Sequence, residues 1–112
     1  MNLVEGVVNK GNFEAEGIKI TDLPYPDGQV TLGFRAEDAN LVEEEGEINA
    51  PIYTIELLGD ATMLTVKVAN TLVSVKAKKD YRAEIGENVS ISVPAPICQM
   101  FERTSGNVIA IN

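Results

Sequence analysis

The chain has 112 residues, 45% of them hydrophobic, and a formal net charge of −8. That length and apolar share fit one domain with its own core and exclude a disordered segment. The acidity argues against phosphate backbones and anionic lipid heads, so neither nucleic acid nor insertion into a membrane is expected.

The first turn signals are Lys10-Gly11-Asn12 and the Pro/Gly-rich stretch from Leu23 to Gly28. Residues 30–34 alternate apolar with small or polar side chains and read as a strand. Residues 35–42 read as one short helical turn. Glu43-Glu44-Glu45-Gly46-Glu47 reads as a solvated loop, because carboxylates in a run point outward rather than converge on a cation. Residues 48–58 are mostly β-branched or apolar and read as a strand stopped by Gly59-Asp60. Strands at 63–68 and 72–76 flank Ala69-Asn70-Thr71, a tight hairpin connection in which Asn70 tolerates a left-handed backbone. Lys78-Lys79-Asp80-Tyr81 is an exposed connector, and Gly86-Glu87-Asn88 a turn. Strands follow at 89–93 and, after the turn Ser105-Gly106-Asn107, at 108–111. Short, evenly spaced strands make an all-β domain, a barrel or a sandwich. The acidic stretch separates two pieces, 1–34 and 48–112.

The chain has no histidine and one cysteine, Cys98. This removes Ser-His-Asp and Cys-His arrangements, the usual nitrogen ligand of zinc, and any internal disulfide. One cysteine in an apolar run reads as a buried, inert thiol. There is no G-x-x-x-x-G-K-[ST] phosphate loop, so the chain by itself is expected neither to bind ATP nor to catalyse. No leader of basic then apolar residues is read, and no apolar run reaches the ~18–20 residues of a membrane helix. Arg35 follows an apolar strand. Its stem is expected to be covered while its fork bonds carbonyls or Glu37, or else Arg35, Glu37 and Asp38 belong to a subunit contact. Gly59 and Gly106 sit at strand-ending turns where positive φ is cheap only for glycine. Phe101, with Met100 and Ile97, is expected in the core or as a lid on one end. With aromatics at 5% and no Trp, stacking on nucleic-acid bases is not expected.

Four segments carry a family resemblance: Met1-Asn2-Leu3-Val4-Glu5-Gly6, Gly33-Phe34-Arg35-Ala36-Glu37-Asp38, Glu56-Leu57-Leu58-Gly59-Asp60 and Phe101-Glu102-Arg103-Thr104-Ser105-Gly106. In that order they resemble the M-N-F/L-x-x-G, G-x-R-P-E, E-x-L-G and F-x-x-x-T-G segments of a C-terminal domain. That domain is the TOBE-type regulatory domain of ATP-binding subunits in bacterial sugar-import ABC transporters, the maltose and glycerol-3-phosphate type. Ala36 departs from the Pro usual at the fourth motif position, which restores backbone freedom to the turn. The resemblance spans nearly the whole chain and implies one domain, 1–112, with an OB-like β-barrel (TOBE/MOP-like) and one helical turn. It implies a cytoplasmic role beneath membrane-spanning permease subunits, with ATP and Mg in an ATPase part absent from this chain. The implied partners are the same domain of a second ATPase subunit, its own N-terminal ATPase domain, the permease subunits indirectly and, in some members, an inhibitory protein of the sugar phosphotransferase system. A second reading comes from related TOBE-type modules that bind molybdate or tungstate. Oxyanion sites use hydroxyls, backbone N–H groups and cations, and Thr62, Ser74, Lys76 and Lys78 are the candidates.

Overall fold

Alternating side chains place one face of each strand inward and so decide which strands share a core. In the computed structural model, which describes residues 1–109, β1 (Asn2–Asn9) buries Val4 and Val8 and exposes Leu3 and Val7. Its neighbours are β4 (Gly28–Phe34), paired from Asn2↔Phe34 to Val8↔Gly28, and β2 (Asn12–Ala15), which continues into β3 (Ile18–Ile20). β10 (Gln99–Glu102) flanks β4 on the other side.

The long strand β6 (Ile48–Leu57) joins this sheet to the rest. Its first half lies between β3, at Ile18↔Ile48, and β9 (Asn88–Ser92), at Asn49↔Ser90. After a register shift between Ile52 and Thr54 its second half pairs with β7 (Ala61–Val68), which pairs in turn with β8 (Thr71–Lys78). β5 (Asn40–Val42) adds to β9. Every pairing is antiparallel. Ten residues at ~3.3 Å each span ~33 Å, which accounts for an envelope of 40 × 23 × 22 Å.

One apolar cluster lies inside these strands, with Phe13, Phe34, Leu32, Ile48, Leu64 and Met100 among its fully buried members. Gly6 faces inward, and a Cβ there would strike the Phe13 ring, so the missing side chain is the space that ring fills. The free edge of β8 is closed from the opposite end of the chain. Asn2 Nδ2 donates to the Ser74 carbonyl at 2.8 Å, and Ser74 N–H donates to Asn2 Oδ1 at 2.9 Å. Two positions on, Lys76 N–H donates to the Ala36 carbonyl at 3.1 Å. The result is a small all-β, OB-like fold.

The strands expected at 30–34, 48–58, 63–68, 72–76 and 89–93 are present with ends shifted by a few residues. The helical turn expected at 35–42 is not. A hydrogen-bonded turn closes there, Asp38 N–H to Arg35 carbonyl at 3.1 Å, and β5 begins at Asn40. Ala39 is 1% exposed and anchors this segment to the core, so burial of one small residue wins over helix formation. The helical turn is instead a 3-10 turn at Ala95–Ile97, opened by Pro94. Of the strand expected at 108–111, the described part returns against β10, with Ile109 N–H donating to the Met100 carbonyl at 2.8 Å, and 110–111 lie outside the described residues.

The hairpin between β7 and β8 turns on Ala69 and Asn70, with φ of 50° and 60°. Both central positions are left-handed, as the right-handed twist of the paired strands requires. Asn tolerates this backbone, whereas Ala pays ~1–2 kcal/mol for it. Ala69→Asn is therefore expected to raise unfolding free energy by roughly 0.5–1 kcal/mol in urea titration, without changing the slope against denaturant. An unchanged or lower midpoint contradicts this reading of the turn.

Candidate functional site

The segment after β4 leads to Asn40, which lines a cleft. Arg35, Glu37 and Asp38 are all exposed. The turn they form is held by backbone, through Asp38 N–H to Arg35 O and Lys76 N–H to Ala36 O. A proline at position 36 would keep that carbonyl, so the Ala36 departure leaves the contact with β8 intact. The expected role of an arginine bonding carbonyls belongs to a different residue. Arg103 Nη2 donates to the Gly6 carbonyl at 2.5 Å and reaches the Val30 carbonyl at 3.4 Å. It thus ties the end of β10 to β1 and β4, a role no sequence signal marked.

Beside that turn, β5 and β8 enclose a cleft of about 300 Å³ lined by Asn40, Leu41, Lys76, Lys78, Asp80 and Tyr81. Two cations against one carboxylate make it a local positive island on a chain of net charge −8. Burial raises the Tyr81 phenol above its ordinary value, with Glu87 adding to it, so the ring presents a neutral O–H at neutral pH. Of the four oxyanion candidates, the fold brings Lys76 and Lys78 together in this cleft and sets Ser74 on the same face of β8. Thr62 is excluded. It faces the interior at 0% exposure, and its hydroxyl donates to the Lys79 carbonyl at 3.3 Å. Ser74 Oγ is shared with Thr65 Oγ1 at 3.1 Å, which leaves its hydroxyl engaged on the strand.

The acidic stretch divides in two. Glu43, Glu44 and Glu45 are exposed, but Gly46 and Glu47 are tucked against β9. Glu47 Oε1 accepts from Val93 N–H at 2.6 Å, Ser90 Oγ accepts from Gly46 N–H at 2.6 Å, and Ser90 Oγ donates to Asn49 Oδ1 at 2.8 Å. A side chain at position 46 would run into the Ile91 backbone. Glu47 is therefore not part of a solvated loop, because an otherwise unpaired backbone N–H needs it. Among the described residues, no three of His, Cys, Asp and Glu converge as a metal site.

The turn glycines behave as their type predicts. Gly59 has φ of 86° at the first position of the two-residue turn between β6 and β7, and Gly106 has φ of 77° in the loop after β10. Ser105 orders the latter loop by bonding Glu102 Oε1 at 2.5 Å and accepting from Asn107 N–H at 3.1 Å. Phe101 is not a member of the core cluster. It lies half-exposed on the outer face of β10, and a Cβ on Gly33 would meet its ring at 2.8 Å. Met100, at 0% exposure, holds the inward position, since adjacent strand residues point to opposite faces.

Similarity to known proteins agrees with part of the motif resemblance. The chain is 30% identical over 91 residues to the molybdate/tungstate import ATP-binding protein WtpC of Pyrococcus abyssi. The aligned region covers 76% of this chain and 26% of that protein, so the chain spans about a quarter of the length of this curated relative. No family model matches the chain. The relative is an import ATP-binding protein, the class to which the motifs point, but it is named for molybdate and tungstate rather than for a sugar.

Cys98 contributes no reactive group to this face. Burial, with Glu47 adding, pushes its thiol up to about 12 from an ordinary 9.0. A thiol raised on folding contributes stability that is complete below the unfolded value, near 9, and lost as pH climbs toward 12. The native chain is expected to react slowly with a disulfide reagent at pH 8, at a rate that unfolding limits, and to lose stability above pH 9. Rapid labelling of folded protein at pH 8 contradicts this.

Proposed function

We propose that this chain is the accessory domain of the ATP-binding subunit of an ABC importer, with regulatory and dimerising roles and no catalysis of its own. One observation carries the reading: the similarity to an import ATP-binding protein covers three-quarters of this chain but only 26% of that protein. The four ordered motifs support it independently. The turn at Arg35, Glu37 and Asp38 is the part offered to another subunit, being exposed while its backbone is pinned to β8. The ATPase part, the permease subunits and a second copy of the domain are the partners in this reading. The test is the coding frame around Met1 in its genome. An in-frame upstream segment with a G-x-x-x-x-G-K-[ST] loop supports the reading, and micromolar ATP binding by the 112-residue chain alone contradicts it.

A second reading, oxyanion binding, is favoured by the cation-lined cleft and by the imported solutes in the relative's name. Lys76 and Lys78 would face the oxyanion, with Asn40 and the Tyr81 hydroxyl as donors. On this reading tungstate raises the melting temperature of the chain, and Lys76→Ala with Lys78→Ala abolishes the rise. A flat thermal profile at millimolar tungstate removes this reading and leaves the first in place.

A further inference from the structure

We propose that the second half of β6 is a self-pairing edge through which two copies of this chain join their sheets antiparallel. This rests on the dimerising role in the reading above and assigns it a surface. The hydrogen-bond phase identifies the edge. Leu58 N–H donates to the Ala61 carbonyl at 2.9 Å, and Ile55 and Leu57 stand opposite Leu64 and Thr62. Bonded and non-bonded pairs alternate along an antiparallel ladder, so the N–H and C=O groups of Ile55 and Leu57 point away from β7. At Ile52 the same edge is occupied, since its N–H and C=O bond Glu87 O and Gly86 N–H, both at 2.9 Å. Beyond Ile52, among the described residues, no strand pairs with it.

Two other edges of the fold are covered, β8 by Asn2 and Ala36, and β10 by residues 107–109. Open edges are usually blunted by lysine, proline or a covering segment. From Tyr53 to Leu57 there is neither lysine nor proline. Tyr53 and Leu57 are instead 50% and 61% exposed, with Leu58 at 45% and Ile85 at 69% beside them.

The sequence Tyr53-Thr54-Ile55-Glu56-Leu57 is self-complementary about its centre. A two-fold axis at Ile55 sets Tyr53 opposite Leu57 of the second copy, Thr54 opposite its Glu56, and Ile55 opposite Ile55. The apolar positions 53, 55 and 57 then form one continuous strip, and Glu56 faces a threonine rather than another carboxylate. Neighbouring registers fail. An axis at Glu56 sets two carboxylates directly opposite each other, and an axis at Leu57 pushes the Gly59-Asp60 turn into the ladder. The axis at Ile55 sets the outward N–H and C=O groups of Ile55 against those of the same residue in the second copy. Each copy carries a charge of −8, so the association is expected to strengthen with added salt, which screens repulsion beyond ~10 Å at 0.1 M.

The test is sedimentation equilibrium of the whole chain with Tyr53→Lys and Leu57→Lys, each checked for folding by circular dichroism. Amide exchange of Ile55 and Leu57 in the unmodified protein is followed at low and high concentration. The expected result is a dimer that each variant weakens by at least about tenfold, and Ile55 and Leu57 amides that gain protection as concentration rises. A dimer of undiminished affinity in both folded variants, with those amides unprotected, overturns the edge while sparing the dimerising role. A chain that stays monomeric at the highest concentration, its two amides exchanging freely, overturns both. If a variant does not fold, the amide exchange decides alone.

Discussion

The side-chain amide of Asn2 lies against the backbone of Ser74 as a neighbouring strand would, offering one donor and one acceptor to an edge 72 residues away in sequence. Without it, the last strand of the long hairpin would leave its N–H and C=O groups uncovered where β1 passes. Each such bond contributes only ~1 kcal/mol net, whereas an unpaired buried partner costs ~1–3 kcal/mol. The pair therefore matters most as a constraint. It holds β8 beside β1, which lets Lys76 N–H reach Ala36 and fixes the turn carrying Arg35, Glu37 and Asp38. The cleft between β5 and β8 exists because of that closure.

A second set of polar contacts does for β9 what Asn2 does for β8. Gly46, Glu47, Asn49 and Ser90 bond one another or adjacent backbone, so the entry to β6 is held firmly on β9. From there β6 runs on past its register shift and carries β7 and β8 to the other side of the core. The covalent continuity of β6 and the amide of Asn2 close the structure from opposite directions.

Much of this was legible from residue order, and the exceptions have physical causes. Strands β4, β6, β7, β8 and β9 alternate cleanly and were readable. β1 was not, because Leu3-Val4 and Val7-Val8 are adjacent apolar pairs while two inward positions are Asn2 and Gly6. Gly6 is inward to make room for Phe13, and Asn2 is inward to close the barrel. Both roles depend on residues distant in sequence. β10 was obscured in the same way by Met100-Phe101. Arg35 drew attention as an arginine at a strand end, yet Arg103 makes the carbonyl contacts. Only the three-dimensional meeting of β10 with β1 and β4 tells the two apart. The cleft needed Lys76 and Lys78 in phase on one strand, which alternation allows, together with the arrival of β5, which it does not.

The motif at the start of the chain thus has a mechanical meaning: its asparagine is the clasp of the fold. The most direct measurement is urea unfolding of Asn2→Asp at neutral pH. The carboxylate still accepts from Ser74 N–H, but it loses the donor and sets an oxygen against the Ser74 carbonyl. If closure depends on this amide, stability falls by about 2 kcal/mol with folded secondary structure retained. An unchanged midpoint would mean that the barrel closes without Asn2 and that the clasp is incidental.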